Sequence, residues 1–292
     1  MQKNQNNHRH HHPQQHIKPE NTWCLGLAVV GLIGGALLFA SVFLLTNYSS
    51  SPRLLCCDGI SGEHAAVNAT ALQLEAILHY ATSRAVPQQS FGEISVSFDV
   101  LRSLGPSNFL VFGLGRDSLM WAGLNLHGKT LFLEEDPLWV QAVLKDAPAL
   151  RAHSVRYRTK VSEADQLLHH FRTEPDCSAK NSFLRGNHKC RLALDMLPDE
   201  VYDTEWDTIM VDAPRGYFPD APGRMSAIYS AAVMARNRQK SGVTHVFVHD
   251  MDRRVEKTYA EAFLCRKHLV KAVGRLWHFQ IPPAANMNTD FC

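Results

Sequence analysis

The chain has 292 residues, 45% of them hydrophobic, with 30 Lys and Arg against 28 Asp and Glu. That is enough apolar material for one packed core of ordinary domain size. The three basic residues and one acidic residue among the first 22 leave 27 of each sign for the remainder, a balance that excludes a nucleic-acid-binding surface.

Residues 1–22 are polar, carry five histidines among the first sixteen positions and hold Lys3, Arg9 and Lys18. No packed core forms from such a composition, and no spacing fixes a coordination geometry, so the tract reads as a solvated tail rather than a metal site. Trp23 to Leu45 follows with 23 residues and no charge, long enough to cross a bilayer. It is expected to be an uncleaved transmembrane signal anchor, because a cleaved signal has a shorter apolar region and a small-residue cleavage site. The basic residues precede the span, which puts the N-terminus in the cytosol and everything beyond Leu45 in the lumen. Gly31 and Gly35 form a small-residue pair that a second helix could pack against.

Residues 46–68 bear Ser, Pro and Gly and read as a short stem, with N-glycosylation sequons at Asn47 and Asn68. In an oxidising lumen, Cys177 and Cys190 are expected to form a bridge across a polar loop. Cys265, flanked by apolar residues, is expected to be free in the core. No Cys-x-x-Cys pair marks a structural zinc site.

Residues 69–292 read as one globular domain. Leu72, Leu74, Ile77, Leu78 and Ala81 recur at helical spacing, and Ile94, Val96, Val100, Leu101 and Leu104 supply a second apolar face. The strand Asn108–Phe112 then runs into Gly113-Leu114-Gly115 and a helix start at Asp117-Ser118. A second strand, Thr130 to Leu133, ends in Glu134-Glu135-Asp136. A helix near Pro137 to Lys145, an extended stretch around His153 to Tyr157 and the strand Thr208 to Val211 follow, the last ending in Asp212. A helix from about Gly223 to Arg238, the strand Thr244 to Val248 ending in His249-Asp250, a helix Val255 to Cys265 and a closing strand Leu276 to Ile281 complete the pattern. Strands alternating with helices predict a doubly wound, Rossmann-like α/β domain. Trp121, Trp139, Trp206 and Trp277 adjoin apolar runs and are read as core.

In such a sheet the ligand sits beyond the carboxyl ends of the strands, where Gly113, Glu134, Asp212 and Asp250 would converge. Glycines admit a close backbone approach, and an acidic residue at the tip of the second strand grips ribose hydroxyls. Gly113, Gly115, Glu134 and Glu135 are therefore candidates to hold an adenosine-bearing cofactor. Asp212 and Asp250, with His249 and Asp252 close by, could surround a divalent ion that acidifies a sugar hydroxyl. Alternatively His249 or a metal-free Asp212 is a general base, or the aspartates simply cap the next helices. Tyr217 and Phe218 could stack on a sugar ring, and Arg215 and Arg224 could clamp a carboxylate.

The stretches Asn108 to Trp121, Phe132 to Asp136, Val201-Tyr202 with Glu205 to Asp207, Ile209 to Pro214, Ala221 to Met225 and Val246 to Asp250 resemble the plant polysaccharide O-methyltransferases. These are the glucuronoxylan 4-O-methyltransferases and the arabinogalactan O-methyltransferases, and the likeness spans roughly residues 70 to 283. It implies a single-pass type II Golgi membrane enzyme that moves methyl from S-adenosylmethionine to O-4 of glucuronic acid residues of a polysaccharide acceptor, helped by a divalent cation. Carried over, Gly113 and Gly115 lie against the cofactor, Glu134 or Glu135 holds its ribose, and Asp212 sits at the transfer site; Asp250 is added from its place at a strand end.

The chain departs from the family pattern at Ser107, where a cysteine is expected, which leaves the partner of Cys56 or Cys57 open. Tyr157 to Asp165 and Gly274 to Phe279 look closer to the arabinogalactan branch. Two other readings stand beside this one. One is a non-catalytic Golgi protein required for xylan deposition, against which Gly115 and the Glu134-Glu135-Asp136 run argue. The other is a glycosyltransferase, for which Asp250-Met251-Asp252 has the form of a metal motif.

Overall fold

The computed structural model describes residues 60–84, 86–284 and 290–292. The expected tail, the anchor at 23–45, Asn47 and the Cys56-Cys57 pair lie outside them; among the described residues no helix is long and apolar enough to cross a membrane. Helix α1 (Ile60–Thr82) comes first, so the stretch read as the end of the stem is already helical from Ile60. Helix α2 (Phe91–Leu104) starts at a capping box: Ser90 Oγ accepts from Glu93 N, and Glu93 Oε2 accepts from Ser90 N at 2.7 Å. Then follow β1 (Asn108–Phe112), α3 (Ser118–Leu124), β2 (Lys129–Glu134), α4 (Pro137–Asp146), β3 (Ala152–Ser154), α5 (Ala164–Thr173) and α6 (Asp199–Tyr202). The chain closes with β4 (Thr208–Val211), α7 (Met225–Arg236), β5 (Thr244–Val248), α8 (Arg254–Phe263), β6 (Leu269–Val273) and β7 (Leu276–Ile281).

The seven strands lie in the order β3-β2-β1-β4-β5-β7-β6. The first five are parallel, as the doubly wound pattern predicts, whereas β7 runs antiparallel to β5 and β6 antiparallel to β7. Strand β6 escaped the sequence reading because it forms an edge with Val270 half exposed and Lys271 beside it, so it presents no buried run. From Phe109 to Phe112 strand β1 is apolar because both its faces are covered. Phe109 and Val111 pack with Val96, Leu101, Trp121 and Phe132 on one side of the sheet. Leu110 and Phe112 pack with Leu131, Ile209, Tyr229 and Phe263 on the other. Each such side chain contributes about 1.5–3 kcal/mol through burial. The order reverses at β1, whose neighbours β2 and β4 lead to opposite sides, and that opens a crevice beyond its carboxyl end.

One cysteine differs from expectation, and the Ser107 position shows what replaces the missing thiol. At the position of the missing cysteine, the Ser107 hydroxyl donates to Asn125 Oδ1 at 3.1 Å and Asn125 Nδ2 returns a bond to Ser107 O at 3.0 Å. A buried hydrogen-bonded clasp thus stands where the pattern calls for a thiol. Cys177 and Cys190 are bridged as expected, with Cα atoms 5.0 Å apart. Cys265, however, is not free: it is bonded to Cys292, with Cα atoms 5.4 Å apart. The end of the chain returns to the core, where Phe291 packs on Phe263 and Tyr229, and this carries Cys292 to α8.

Candidate functional site

The crevice contains a cavity of about 430 Å³ lined by the Gly113 to Asp117 turn, Glu134, Trp139, Met210, Asp212, Ala213 and, from the segment before α2, Val86 and Gln88. This lies within the roughly 300–1,000 Å³ of small-molecule sites. Gly113 adopts φ +128°, a conformation a side chain disfavours, and a Cβ there would stand 3.3 Å from Ala213 Cβ. The turn is tied to the second strand: Gly113 N donates to Leu133 O at 2.7 Å and Leu114 N donates to Glu134 Oε2 at 3.1 Å. Glu134 Oε1 accepts from the backbone N–H of Glu135 and Asp136. Three of about four acceptor positions on this carboxylate are therefore used by backbone, leaving one for a ligand hydroxyl. Burial raises the Glu134 pKa above the usual carboxylate value, more than these bonds lower it.

Asp212 forms the far wall. Its Oδ1 pairs with His249 Nδ1 at 2.8 Å and its Oδ2 accepts from Gln89 Nε2 at 3.1 Å. Burial pushes its pKa up, but the His249 bond and the Arg224 guanidinium outweigh burial and hold it below the ordinary value. Asp117, which the sequence reading took only as a helix start, also lines the cavity and accepts from Trp121 Nε1 at 2.8 Å. Burial first, and then repulsion from Asp212, raises its pKa.

His249 is fully buried; Nε2 has no hydrogen-bond partner among the described residues and lies 3.7 Å from Glu93 Oε1. Glu93 also accepts from Arg275 N at 2.6 Å, so the start of α2 is fastened to the turn between β6 and β7. Gln89 and Glu93 were missed in the sequence; the Ser90-x-x-Glu93 spacing is the signal that could have drawn attention to them.

The ligand atoms of Asp212, His249 and Asp250 all lie within 4.8 Å of one another. Two carboxylates and an imidazole suit a divalent ion in kind and spacing. Guanidiniums already balance the charge there. Arg224 Nη2 stands 3.3 Å from Asp212 Oδ1 and 2.8 Å from Asp250 Oδ2, while Arg253 and Arg275 also pair with Asp250 at 2.9 Å and 2.6 Å. Asp252 is exposed and Asp250 is held by three arginines, so the Asp-x-Asp run does not present two free carboxylates.

Five expectations need correction. Glu135 does not line the cavity; it is bound to Arg215, whose Nε donates to it at 2.6 Å. Arg215 thus stands outside the cavity lining, paired with Glu135 through Nε. Arg224 is buried, donating to His249 O and Asp212 O and pairing with both aspartates, so it organises the site from behind. Trp139, read as core, is 43% exposed and lines the cavity, with Nε1 donating to Leu114 O at 2.6 Å. Tyr217 is exposed and rests edge-on against Phe218, outside the cavity lining.

Among known proteins, the chain is 61% identical over 276 residues to arabinogalactan O-methyltransferase 1 of Arabidopsis thaliana, covering 92% of this chain and 94% of that protein. It is 52% identical to glucuronoxylan 4-O-methyltransferase 2 of the same plant, covering 75% and 74%. Protein IRREGULAR XYLEM 15, also of Arabidopsis thaliana, is 40% identical, covering 75% and 69%. A solved structure, a putative caffeoyl-CoA O-methyltransferase from Staphylococcus aureus, is a distant likeness: 12% identity and a TM-score of 0.38 over 85% of this chain and 99% of that one. The family model described as IRX15/IRX15L/GXM matches residues 92–279, across the crevice and both walls of the cavity, and the chain belongs to that family.

Proposed function

We propose that this chain is an S-adenosylmethionine-dependent O-methyltransferase that 4-O-methylates glucuronic acid residues of a cell-wall polysaccharide, anchored as a single-pass type II protein in the Golgi membrane. The observation that carries the reading is the cavity itself, which sets a glycine turn and a strand-end carboxylate on one side and Asp212 on the other. Three carboxylates in its wall, Asp117, Glu134 and Asp212, suit a ligand that bears positive charge. S-adenosylmethionine supplies an electrophilic methyl on a sulfonium and needs no further activation.

The residues of the chain then have positioning work. Glu134 has one acceptor position left for a ribose hydroxyl, and Trp139 closes the wall beside Leu114. Asp212 accepts the hydrogen of the attacking sugar hydroxyl, while His249 and Gln89 fix the orientation of that carboxylate. With S-adenosylmethionine bound, the sugar oxygen would take the methyl as the carbon–sulfur bond broke and a neutral thioether was released, and Asp212 would take up the hydroxyl proton. A divalent ion held by Asp212, His249 and Asp250 would lower the pKa of that hydroxyl.

Arabinogalactan is favoured over glucuronoxylan as acceptor, because the likeness to arabinogalactan O-methyltransferase 1 is higher and extends over more of the chain. The test is methyl transfer by the full chain in detergent from labelled S-adenosylmethionine to each polymer, with and without chelator. Label on arabinogalactan supports the reading, and its loss with chelator supports the metal. The non-catalytic reading, kept alive by the likeness to IRREGULAR XYLEM 15, would be favoured by a chain that binds no cofactor.

A further inference from the structure

The cavity holds one arginine whose charge the fold leaves unanswered. Arg215 is paired with Glu135, Arg224 with Asp212 and Asp250, Arg253 with Asp250 and Glu256, and Arg275 with Asp250. Arg116 lines the cavity between Gly115 and Asp117, and among the described residues its guanidinium has no ion pair or hydrogen bond. Its backbone is nevertheless fixed, since Tyr80 Oη donates to Arg116 O at 2.5 Å and Ser118 N donates to the neighbouring Gly115 O at 3.3 Å. The anchored backbone places an exposed, unengaged guanidinium at the cavity, so a ligand that binds it has only the side chain left to order. The rest of the wall is acidic, with Asp117, Glu134 and Asp212, so a ligand filling it should carry positive charge toward those groups and negative charge toward Arg116.

We propose that Arg116 is the carboxylate-binding residue of this cavity, an inference that rests on the methyl-transfer reading. Paired N–H donors in one plane match the two oxygens of a carboxylate, which a solvated lysine does not reproduce. A carboxylate can come from two sources here: the amino-acid portion of the cofactor, or the uronic acid of the acceptor. The chemistry is the same, and binding and kinetic arms separate them.

The experiment compares the full chain in detergent with Arg116→Gln and Arg116→Lys. Binding of S-adenosylhomocysteine, which has the carboxylate, and of 5′-methylthioadenosine, which lacks it, is measured by calorimetry. KM is measured for a glucuronate-bearing oligosaccharide and for its carboxyl-reduced counterpart. If Arg116 holds the cofactor, Arg116→Gln weakens S-adenosylhomocysteine about 10- to 100-fold and leaves 5′-methylthioadenosine unchanged. If it holds the acceptor, both nucleosides bind as before, and KM rises by a similar factor for the glucuronate substrate alone. Arg116→Lys restores part of either loss. Unchanged binding and KM overturn the assignment, as does an equal loss for ligands with and without the carboxylate. Failure of the unsubstituted chain to bind either nucleoside sinks the methyl-transfer reading, and the assignment falls with it.

Discussion

Arg224 Nη2 lies 2.8 Å from Asp250 Oδ2, and both side chains are only 6% exposed. The same nitrogen reaches Asp212 Oδ1 at 3.3 Å, so one guanidinium bridges the carboxylates at the ends of two adjacent strands. Its remaining donors reach His249 O at 2.7 Å and Pro214 O at 3.4 Å. Removing one member of a buried pair leaves the others desolvated and uncompensated, which costs about 3–5 kcal/mol. Arg224→Gln is therefore expected to lower stability by about that amount, measured by urea unfolding. Addition of Asp212→Asn should recover part of the loss, because Asp250 keeps Arg253 and Arg275 whereas Asp212 is the carboxylate left without a guanidinium. A change under 1 kcal/mol in Arg224→Gln would mean that this network does not hold the site together.

Asp212 meets cavity and network at once, and its structural part can be separated from its proposed catalytic one. Asp212→Asn keeps the shape and retains an oxygen for His249, but cannot take up the hydroxyl proton or carry charge to a metal. The variant is expected to lose at least 100-fold in turnover while binding S-adenosylhomocysteine within a few-fold of the parent. Turnover within tenfold of the parent would remove Asp212 from the reacting centre.

How much of this was legible in the residues follows from which interactions are local. Strand β1 could be read because burial on both faces demands an unbroken apolar run, and the glycine turn follows directly from it. Asp212 and Asp250 could be placed because a parallel sheet brings its strand ends together. Arg224 could not: its role depends on the chain doubling back from Pro214 to the start of α7 so that a basic residue arrives behind the strand ends. Trp139 looked like core because it neighbours Leu138 and Val140, yet on α4 only Val140 is buried. Cys265 looked inert because its flanks are apolar, and nothing local announces a partner 27 residues away. Arg116 stood in plain view within the glycine stretch, but only the engagement of the other arginines shows why it differs from them.

A second buried pair predicts a pH response. His245 Nδ1 and His278 Nε2 are 2.9 Å apart on adjacent strands, and His278 stacks on Phe247. Burial lowers both pKa values, that of His278 to about 4, with repulsion from His245 adding to the effect there. Above pH 6.5 both the folded and unfolded chains hold these rings neutral, so nothing is lost. As pH falls from 6.5 toward 4 the unfolded chain takes up protons that the folded one refuses, and stability declines by on the order of 2 kcal/mol. Half-buried Asp117 and buried Glu134 and Glu256 have raised pKa values and act in the opposite sense, so the comparison must be with a variant. In His278→Gln the decline over this window should be visibly shallower by thermal unfolding; parallel curves for variant and parent would reject the assignment.

The Cys265–Cys292 bridge ties the last residues to α8, and Phe291 is held beneath it against Phe171, Tyr229 and Phe263. Two contributions are at stake. Closing a loop over 27 residues restricts the unfolded chain by about 3–4 kcal/mol in the chain-entropy account, and burying Phe291 adds about 1.5–3 kcal/mol. If the first dominates, Cys292→Ser costs about 2–4 kcal/mol while Phe291 stays protected from solvent. If the bridge is what keeps Phe291 docked, the cost is larger and the end of the chain is released as well. Limited proteolysis near the C-terminus separates these cases, since only a released end is cut at native temperatures. The cavity lining comes from residues up to Ala213 and includes none of α8 or of the bridge. Cofactor affinity should therefore survive Cys292→Ser within a few-fold even as the unfolding midpoint drops. A stability change below 1 kcal/mol would show that the bridge restrains little in the unfolded chain.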